Sequence, residues 1–283
     1  MKKHFVSIDE KVKLWIETLG DTGNEACLLI SGAGANSSFW SERLCKHLLE
    51  KDFFVIKYDH RDFGYSTKID FTQRPYDFMQ LVKDAVAILD TLQVEKAHIV
   101  GHSMGGFIAQ LMAIHFPDRV ISIISASAST NSPLVPPPPD KTWKIFMENS
   151  PTNDFENDLS GFMGIWEYLN GTARFDRELA VDYTRNLYER QAIIGALGES
   201  HVKAQASLSD RSEILKSVDK PALIIHGEED YLVDKYGGIQ TAESLPKSKL
   251  VLIPKMGHIP FNEEILDRFE SEIIQFISRN RIR

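Results

Sequence analysis

The stretch that most constrains the fold of this chain runs from residue 97 to residue 115. In it, a strand is followed almost at once by a helix, and one serine lies at the turn between them. The segment Ala97-His98-Ile99-Val100 is short, mostly apolar and rich in β-branched residues, whereas apolar residues recur at helical spacing from Gly105 to His115. Ser103 stands between the two, with Gly101 and Gly105 on either side. A Gly-x-Ser-x-Gly turn holds its serine in a strained conformation and lets strand and helix approach closely. We therefore expect Ser103 Oγ to be exposed above a sheet at a helix N-terminus; the alternative is that Ser103 only caps the helix.

Strands and helices alternate on both sides of this turn. Apolar alternation around Asp9-Glu10 predicts an opening antiparallel hairpin over residues 4–17. Further strands are predicted at 26–31, 53–58, 97–100, 120–125, 221–227 and 249–254, and helices at 39–49, 77–92, 105–115, 236–245 and 261–279. This order requires right-handed crossovers, so we expect a mostly parallel sheet flanked by helices.

The alternation stops after Ala126. Residues 127–132 are small and polar, Pro136 to Pro139 must be extended, and residues 141–208 are helical in pattern and poor in strands. We interpret residues 127–210 as an inserted helical lid between two parts of one core domain, 1–126 and 211–283. The lid is rich in aromatic residues, most of which are expected to pack it onto the core; the candidates for contact with a ligand are Trp143, Phe146, Phe162 and Trp166.

The composition of the chain bears on its binding partners and on its location. The formal net charge is −8 and no run of Lys or Arg is longer than Lys2-Lys3, so a nucleic-acid surface is not expected. Cys27 and Cys45 fall in apolar or amphipathic runs, which favours two buried thiols over a disulfide. The sequence shows neither an apolar signal segment at its start nor a run long enough to span a membrane, which predicts a cytoplasmic protein without stable membrane association.

Several chemically useful residues follow directly after predicted strands. They are Gly32-Ala33-Gly34, Ser103, Asp230 and His258. Because ligands gather beyond the carboxyl ends of parallel strands, we expect these residues to meet. Ester hydrolysis needs a nucleophilic hydroxyl, a base and a carboxylate that orients the base. Ser103, His258 and Asp230 would fill these roles in that order.

Each assignment has competitors in the sequence. Glu228 and Glu229 precede Asp230, but they are expected to be solvated loop charges or cap partners. His102 adjoins the serine in a turn so tight that its ring should point away from it. His226 is expected to be a structural histidine, as are His60, His98 and His115.

The chain resembles the α/β-hydrolase superfamily over nearly its whole length. The residues that carry the resemblance are Gly101-His102-Ser103-Met104-Gly105-Gly106, Asp59-His60-Arg61-Asp62-Phe63-Gly64-Tyr65-Ser66, His226-Gly227-Glu228-Glu229-Asp230 and Gly257-His258. The resemblance implies an eight-stranded, mostly parallel sheet and an oxyanion hole formed by the backbone N–H groups of Ala33 and Met104. The usual His-Gly of the oxyanion loop is Ser31-Gly32 here. Residues 58–62, Ser66-Thr67 and Pro75-Tyr76 are similar to the branch that contains aclacinomycin methylesterase.

The leading hypothesis is a serine hydrolase that cleaves small, hydrophobic carboxylic esters and needs neither metal nor cofactor. An aspartate stands at the serine position in the haloalkane dehalogenases and epoxide hydrolases of this fold, so Ser103 disfavours both. Two alternatives stay open. The same three residues would serve a C–C bond hydrolase or a cofactor-free haloperoxidase, and the fold would also suit a receptor that binds a small molecule with little turnover.

Overall fold

The protein is described here from a computed structural model, which describes residues 1–152, 154–190 and 199–282. Its centre is a sheet of eight strands in the order β1-β2-β4-β3-β5-β6-β7-β8. The strands are β1 (Lys2–Ser7), β2 (Lys13–Leu19), β3 (Ala26–Ile30), β4 (Phe54–Tyr58), β5 (Ala97–His102), β6 (Val120–Ala126), β7 (Ala222–Gly227) and β8 (Ser248–Ile253). The helices are α1 (Glu42–Leu49), α2 (Phe78–Thr91), α3 (Met104–His115), α4 (Asp140–Glu148), α5 (Phe155–Leu169), α6 (Arg177–Arg190), α7 (Glu199–Gln205), α8 (Ser212–Leu215), α9 (Lys235–Ser244) and α10 (Glu263–Arg279).

Strand direction follows the predicted pattern. β1 pairs with β2 and β2 with β4 in antiparallel fashion, whereas every pair from β4 through β8 is parallel. In register, Ile30 lies opposite Gly101, and His102 lies opposite Ala126. The mostly parallel eight-stranded sheet is therefore confirmed, and the carboxyl ends of β3, β5 and β6 meet at one edge.

Side chains of the central strands alternate between two apolar cores. Leu28, Ile56 and Ile99 belong to a core with α2 and α3, whereas Leu29 and Val100 belong to another with α1 and α10. This is the alternation that a strand imposes on neighbouring residues. Because both faces are covered, these strands read in the sequence as nearly continuous apolar runs.

One predicted helix begins later than expected. Residues 39–49 were assigned to a helix, but α1 starts at Glu42, and Ser37–Phe39 form a separate 3₁₀ turn. The Ser41 side chain accepts a hydrogen bond from the Leu44 N–H at 2.9 Å and so caps α1. Serine is strongly preferred at the N-cap, which favours a helix that starts at the next residue.

Helices α4 to α7 lie in the segment that we predicted to be a lid. Phe162, Trp166 and Leu187 are buried there in an apolar cluster of their own. The two ends of the segment are joined, because Asn131 Nδ2 donates to the Leu208 carbonyl at 2.9 Å and the Arg211 N–H donates to the Thr130 carbonyl at 2.9 Å. The domain boundaries at 127 and 210 stay a prediction, and residues 153 and 191–198 of this lid lie outside the described residues. Within the described chain, no helix is both long enough and apolar enough to cross a membrane.

We predict that the protein loses stability as the pH falls from 7.5 to 5. Burial lowers the pKa of His60 and His102 to about 3 and that of His98 to about 4. These values lie below the unfolded value of about 6.5, so the unfolded chain takes up protons first and stability is lost as the pH falls through that value. Each histidine would account for at most ~2 kcal/mol at pH 5. Urea unfolding at both pH values measures the loss.

A buried and an exposed histidine can be compared to test whether burial causes the loss of stability at low pH. His98→Asn should reduce the difference between the two pH values, whereas His115→Gln, at an exposed position, should leave it unchanged. Equal urea midpoints at pH 7.5 and pH 5 for the wild type would contradict the prediction.

Candidate active site

Ser103 occupies the turn between β5 and α3 with the strained backbone that the sequence predicts. Its φ is 53° and its ψ is −118°, a region that residues other than glycine rarely adopt. The turn is held because the Ser103 N–H donates to the Ala126 carbonyl at 2.8 Å, while the Ser103 carbonyl accepts from the Gly106 N–H at 2.8 Å. The side chain makes no capping hydrogen bond to α3. Ser103 therefore occupies the N-cap position of α3 without using its hydroxyl as a cap.

Two glycines make the turn sterically possible. A Cβ on Gly101 would lie 2.0 Å from the Gly105 carbonyl oxygen, and a Cβ on Gly105 would lie 2.1 Å from the Ile30 carbonyl oxygen. Neither position accepts a side chain without backbone movement. The first turn of α3 therefore lies directly against the end of β3.

The predicted oxyanion loop follows β3 and lies beside Ser103. A Cβ on Gly32 would be 3.2 Å from Ser103 Cβ, so the two backbones nearly touch. The Ala33 N–H has no backbone partner among the described residues. Met104 is the first residue of α3, and its N–H has no acceptor within the helix. Both donors are thus available near the serine.

Hydrogen bonds that the sequence did not reveal hold this loop at Ser31. His60 Nε2 lies 3.0 Å from the Ser31 carbonyl, and Ser31 Oγ donates to the Ala35 carbonyl at 3.2 Å. Burial lowers the pKa of His60 to about 3, so its ring is neutral and Nε2–H is the donor to the carbonyl. His60 therefore supports the loop in which Ser31-Gly32 replaces the usual His-Gly.

Asp230 and His258 come together at the same edge of the sheet. His258 Nδ1 lies 2.8 Å from Asp230 Oδ2, and both side chains are buried. Asp230 Oδ1 accepts hydrogen bonds from the N–H groups of Leu232 at 2.9 Å and Val233 at 2.8 Å. Burial would raise the pKa of the Asp230 carboxyl, but His258 and the hydrogen bonds from His226 and His258 hold it well below its usual range. The carboxylate is thus ionised and pointed at the imidazole.

Two further histidines contact this pair: His226, which we expected to be structural, and His102, whose ring we expected to point away from Ser103. His226 Nε2 lies 3.3 Å from Asp230 Oδ2 and 2.8 Å from the Val233 carbonyl. His102 Nε2 lies 2.8 Å from the His258 carbonyl, and its ring stacks on Phe39 at 4.4 Å between centroids. Burial lowers the pKa of His102 to about 3, which leaves a neutral ring that donates from Nε2. Through its chain neighbour His102, Ser103 is therefore linked to His258.

The remaining competitors lie elsewhere. Glu228 is exposed, and Glu229 accepts from the Thr172 N–H at 2.6 Å and the Thr172 hydroxyl at 2.9 Å. His98 contacts Ser122 Oγ at 2.7 Å near the start of β5, at the far end of that strand from Ser103. Neither acid contacts His258 among the described residues.

The four aromatic candidates of the lid have different surroundings. Trp143 is 50% exposed and Phe146 is partly buried. Phe162 and Trp166 are buried and stack with centroids 5.6 Å apart. Trp166 also packs against Tyr183 and Phe261, each at 5.7 Å. Tyr183 in turn lies 6.3 Å from Phe39, which carries the aromatic cluster as far as His102.

In residues 1–152, 154–190 and 199–282, no group of three or more His, Cys, Asp or Glu side chains is placed to hold a metal ion. The Asp230–His258 pair is occupied by its own hydrogen bonds.

Comparison with known proteins agrees with the fold. Residues 26–265 match the family model of the alpha/beta hydrolase fold. The chain belongs to the α/β-hydrolase fold family. It is 30% identical over 271 residues to rhodomycin D methylesterase of Streptomyces peucetius, which covers 88% of this chain and 90% of that protein. The similarity to the branch that contains aclacinomycin methylesterase is thereby confirmed.

A further relative and a solved structure are similar to the chain over most of its length. A 2-hydroxy-6-oxononadienedioate/2-hydroxy-6-oxononatrienedioate hydrolase of Burkholderia vietnamiensis is 27% identical over 91% of this chain and 88% of its own length. Among solved structures, the esterase RhEst1 of Rhodococcus aligns with a TM-score of 0.78 at 22% identity over 98% of this chain and 99% of its own. At that level of identity, the structural match shows the fold alone.

We predict that Gly105→Ala destabilises the protein while Gly164→Ala does not. A methyl group at 105 would meet the Ile30 carbonyl, whereas nothing lies within 4 Å of the same group at 164, on the exposed face of α5. Gly105→Ala should lower the free energy of unfolding by about 1–3 kcal/mol. Gly164→Ala should raise it by up to ~1 kcal/mol, because alanine favours helices. Urea unfolding tests both, and equal effects at the two sites would refute the close approach.

Proposed function

We propose that this protein hydrolyses carboxylic esters through an acyl-enzyme on Ser103, with His258 as the general base and Asp230 as its orienting carboxylate. The observation that carries the proposal is the buried 2.8 Å contact between His258 Nδ1 and Asp230, at the sheet edge where Ser103 stands in a strained turn. A nucleophile, a base that activates it and an acid that orients the base are the groups that a Ser-His-Asp mechanism uses.

The proposed reaction begins when His258 Nε2 removes the proton from Ser103 Oγ. The oxygen then bonds to the ester carbonyl carbon, and the negative charge moves to the carbonyl oxygen. The N–H groups of Ala33 and Met104, together with the N-terminus of α3, would stabilise this charge. His258 returns the proton to the departing alcohol, and a water molecule activated by His258 releases the acid and restores Ser103.

Asp230 would serve this cycle in two ways. Its hydrogen bond fixes the proton of His258 on Nδ1, which leaves Nε2 free to accept the proton of Ser103. Its negative charge also stabilises the imidazolium form of His258 that exists between the two proton transfers. The backbone N–H groups of Leu232 and Val233 hold the carboxylate still while this happens.

The surroundings favour apolar substrates. Phe39, Trp166, Tyr183 and Phe261 form a continuous aromatic cluster that reaches the residue before Ser103. Binding sites for small molecules are lined mainly by such side chains. We therefore infer small, hydrophobic esters, and the similarity to rhodomycin D methylesterase supports ester chemistry over other uses of the site.

The alternative that keeps the same residues is C–C bond hydrolysis. The 27% identity to the Burkholderia hydrolase of 2-hydroxy-6-oxononadienedioate favours it as the second candidate. The two activities differ in the group that leaves, a carbon acid in one case and an alcohol in the other. Turnover of a vinylogous 1,5-diketone together with inertness toward p-nitrophenyl esters would favour C–C hydrolysis.

We predict that a fluorophosphonate labels Ser103 of the wild type and no other residue. Ser103→Ala should abolish the label and lower the turnover of p-nitrophenyl butyrate by about 10⁴-fold or more, because the nucleophile is lost. His258→Ala should slow both reactions to a similar extent, whereas His115→Ala, at an exposed site, should change neither. Mass spectrometry of the labelled peptide is the measurement. Full turnover by Ser103→Ala would overturn the proposal, and an unlabelled, inactive wild type would favour the binding-protein alternative.

A second prediction separates the three neighbouring acids. Asp230→Asn should lower kcat by about 10³–10⁴-fold, because it allows the wrong tautomer of His258 and removes the charge. Glu229→Gln, which loses only the contact with Thr172, and Glu228→Gln should retain nearly full kcat. Steady-state kinetics at pH 7.5 measures kcat for the three variants. A larger loss of kcat in either glutamate variant than in Asp230→Asn would show that Asp230 is not the carboxylate that orients His258.

A further inference from the structure

We propose that Arg190, the last residue of α6, is a positioning residue that fastens the lid to the oxyanion loop. The inference rests on the proposed function, because it concerns the loop that would stabilise the oxyanion. Arg190 does not touch the site of reaction. It acts on Ala33 through Ser37 and the carboxylates beneath the loop.

Arg190, in the lid, contacts three residues of the core: Ser37 after β3, Glu17 on β2 and Asp59 after β4. Its Nη1 donates to Ser37 Oγ at 2.8 Å and lies 2.9 Å from Glu17 Oε1 and 3.8 Å from Asp59 Oδ1. The guanidinium also lies over the Tyr65 ring, 5.5 Å from its centroid. The side chain is only 12% exposed. A charged side chain this deeply enclosed is held by its partners, unlike a surface ion pair.

Ser37 ties these contacts to the oxyanion loop. It stands four positions after Ala33, and its N–H donates to Asp59 Oδ1 at 2.8 Å. Asp59 Oδ2 accepts from the Tyr65 N–H at 2.9 Å. A second link from the lid reaches the adjacent residue, because Asn36 Nδ2 lies 3.5 Å from the Asn186 carbonyl on α6. The far end of the loop is therefore fixed by the lid, whereas its near end is fixed by His60 at Ser31.

The balance of charge makes Arg190 necessary at this place. Glu17 and Asp59 are 2% and 0% exposed. Among the described residues, the cation besides Arg190 within 4 Å of these two carboxylates is Lys57, whose Nζ lies 3.2 Å from Glu17 Oε2. Burial raises the pKa of Glu17, but Lys57 and Arg190 outweigh it and lower that pKa. Without Arg190, Asp59 would lose the cation that lies 3.8 Å from it, and Lys57 would be left as the close cation of Glu17. Breaking a buried pair from one side is strongly destabilising to the local structure.

The consequence concerns catalysis more than overall folding. The Ala33 N–H must point at the oxyanion, and a displacement of about 1 Å in such a group costs about 10²-fold in rate. While α6 is docked, Arg190 neutralises the carboxylates and holds Ser37. When α6 moves away, the loop loses both its cation and a hydrogen bond. Docking of the lid therefore completes the oxyanion hole.

Arg185 provides a matched control on the same helix. It is 51% exposed, and its Nη1 pairs with Asp182 one turn earlier at 3.0 Å. Arg185→Gln removes the same charge from α6 as Arg190→Gln, but it leaves the loop and the buried carboxylates untouched. Arg190→Lys keeps the charge and can replace part of the contact, so it serves as the conservative rescue.

The test compares these three variants with the wild type in two measurements. The first is kcat and KM for p-nitrophenyl butyrate, and the second is hydrogen exchange of the backbone amides of residues 31–40. Arg190→Gln should lower kcat by about 10–100-fold with a smaller change in KM, and it should speed exchange in the loop. Arg190→Lys should recover most of both properties, and Arg185→Gln should match the wild type.

The outcomes separate this inference from the proposed function. If Arg190→Gln matches Arg185→Gln in loop exchange and in kcat, Arg190 does not position the loop, whatever reaction the protein performs. If Arg190→Gln only lowers the melting temperature and Arg190→Lys does not restore kcat, its role is structural and the inference is overturned. If the wild type lacks esterase activity and Ser103 labelling, the proposed function fails; faster loop exchange in Arg190→Gln alone would still support the fastening of the loop by the lid.

Discussion

The close approach of α3 to the ends of β3 and β5 is the constraint on which the rest of the site depends. With glycine at 101 and 105, the first turn of the helix packs against the Ile30 carbonyl, and the chain turns through a positive φ at Ser103. The same approach brings the Met104 N–H beside the loop after β3. The close approach at Gly101 and Gly105 thus brings Ser103, the N-terminus of α3 and the loop after β3 together, and a Cβ at either glycine would separate them.

Buried histidines make hydrogen bonds that hold the neighbouring groups of the site in place. His226 contacts Asp230, His102 contacts the His258 carbonyl, and His60 contacts the Ser31 carbonyl. The rings of His60 and His102 are neutral at physiological pH because burial lowers their pKa values to about 3. They can therefore donate from Nε2 without adding a positive charge that would compete with His258 for the Asp230 carboxylate. The neutral rings of His60 and His102 therefore do not weaken the attraction between Asp230 and His258.

The sheet, the turn at Ser103 and the ends of the strands could be predicted from the sequence, because each depends on local periodicity or on glycine spacing. The hairpin around Asp9, the parallel strands and the strain at Ser103 were all predicted on that basis. Contacts across large separations could not be found in this way. His102 meets a carbonyl 156 positions away, and Arg190 meets Ser37 at a separation of 153. In the sequence, Arg190 looks like any charge on an amphipathic helix, and Trp143 looks like Trp166 although one is half exposed and the other buried.

The central claim is that ester cleavage proceeds through a covalent acyl group on Ser103. The most direct measurement is rapid-quench mass spectrometry of the intact protein and of its peptides during turnover of p-nitrophenyl butyrate. The account predicts a transient gain of one butyryl group on the peptide that contains Ser103, formed at the rate of the p-nitrophenolate burst. Steady release of p-nitrophenolate without any adduct, or with the adduct on another residue, would contradict it.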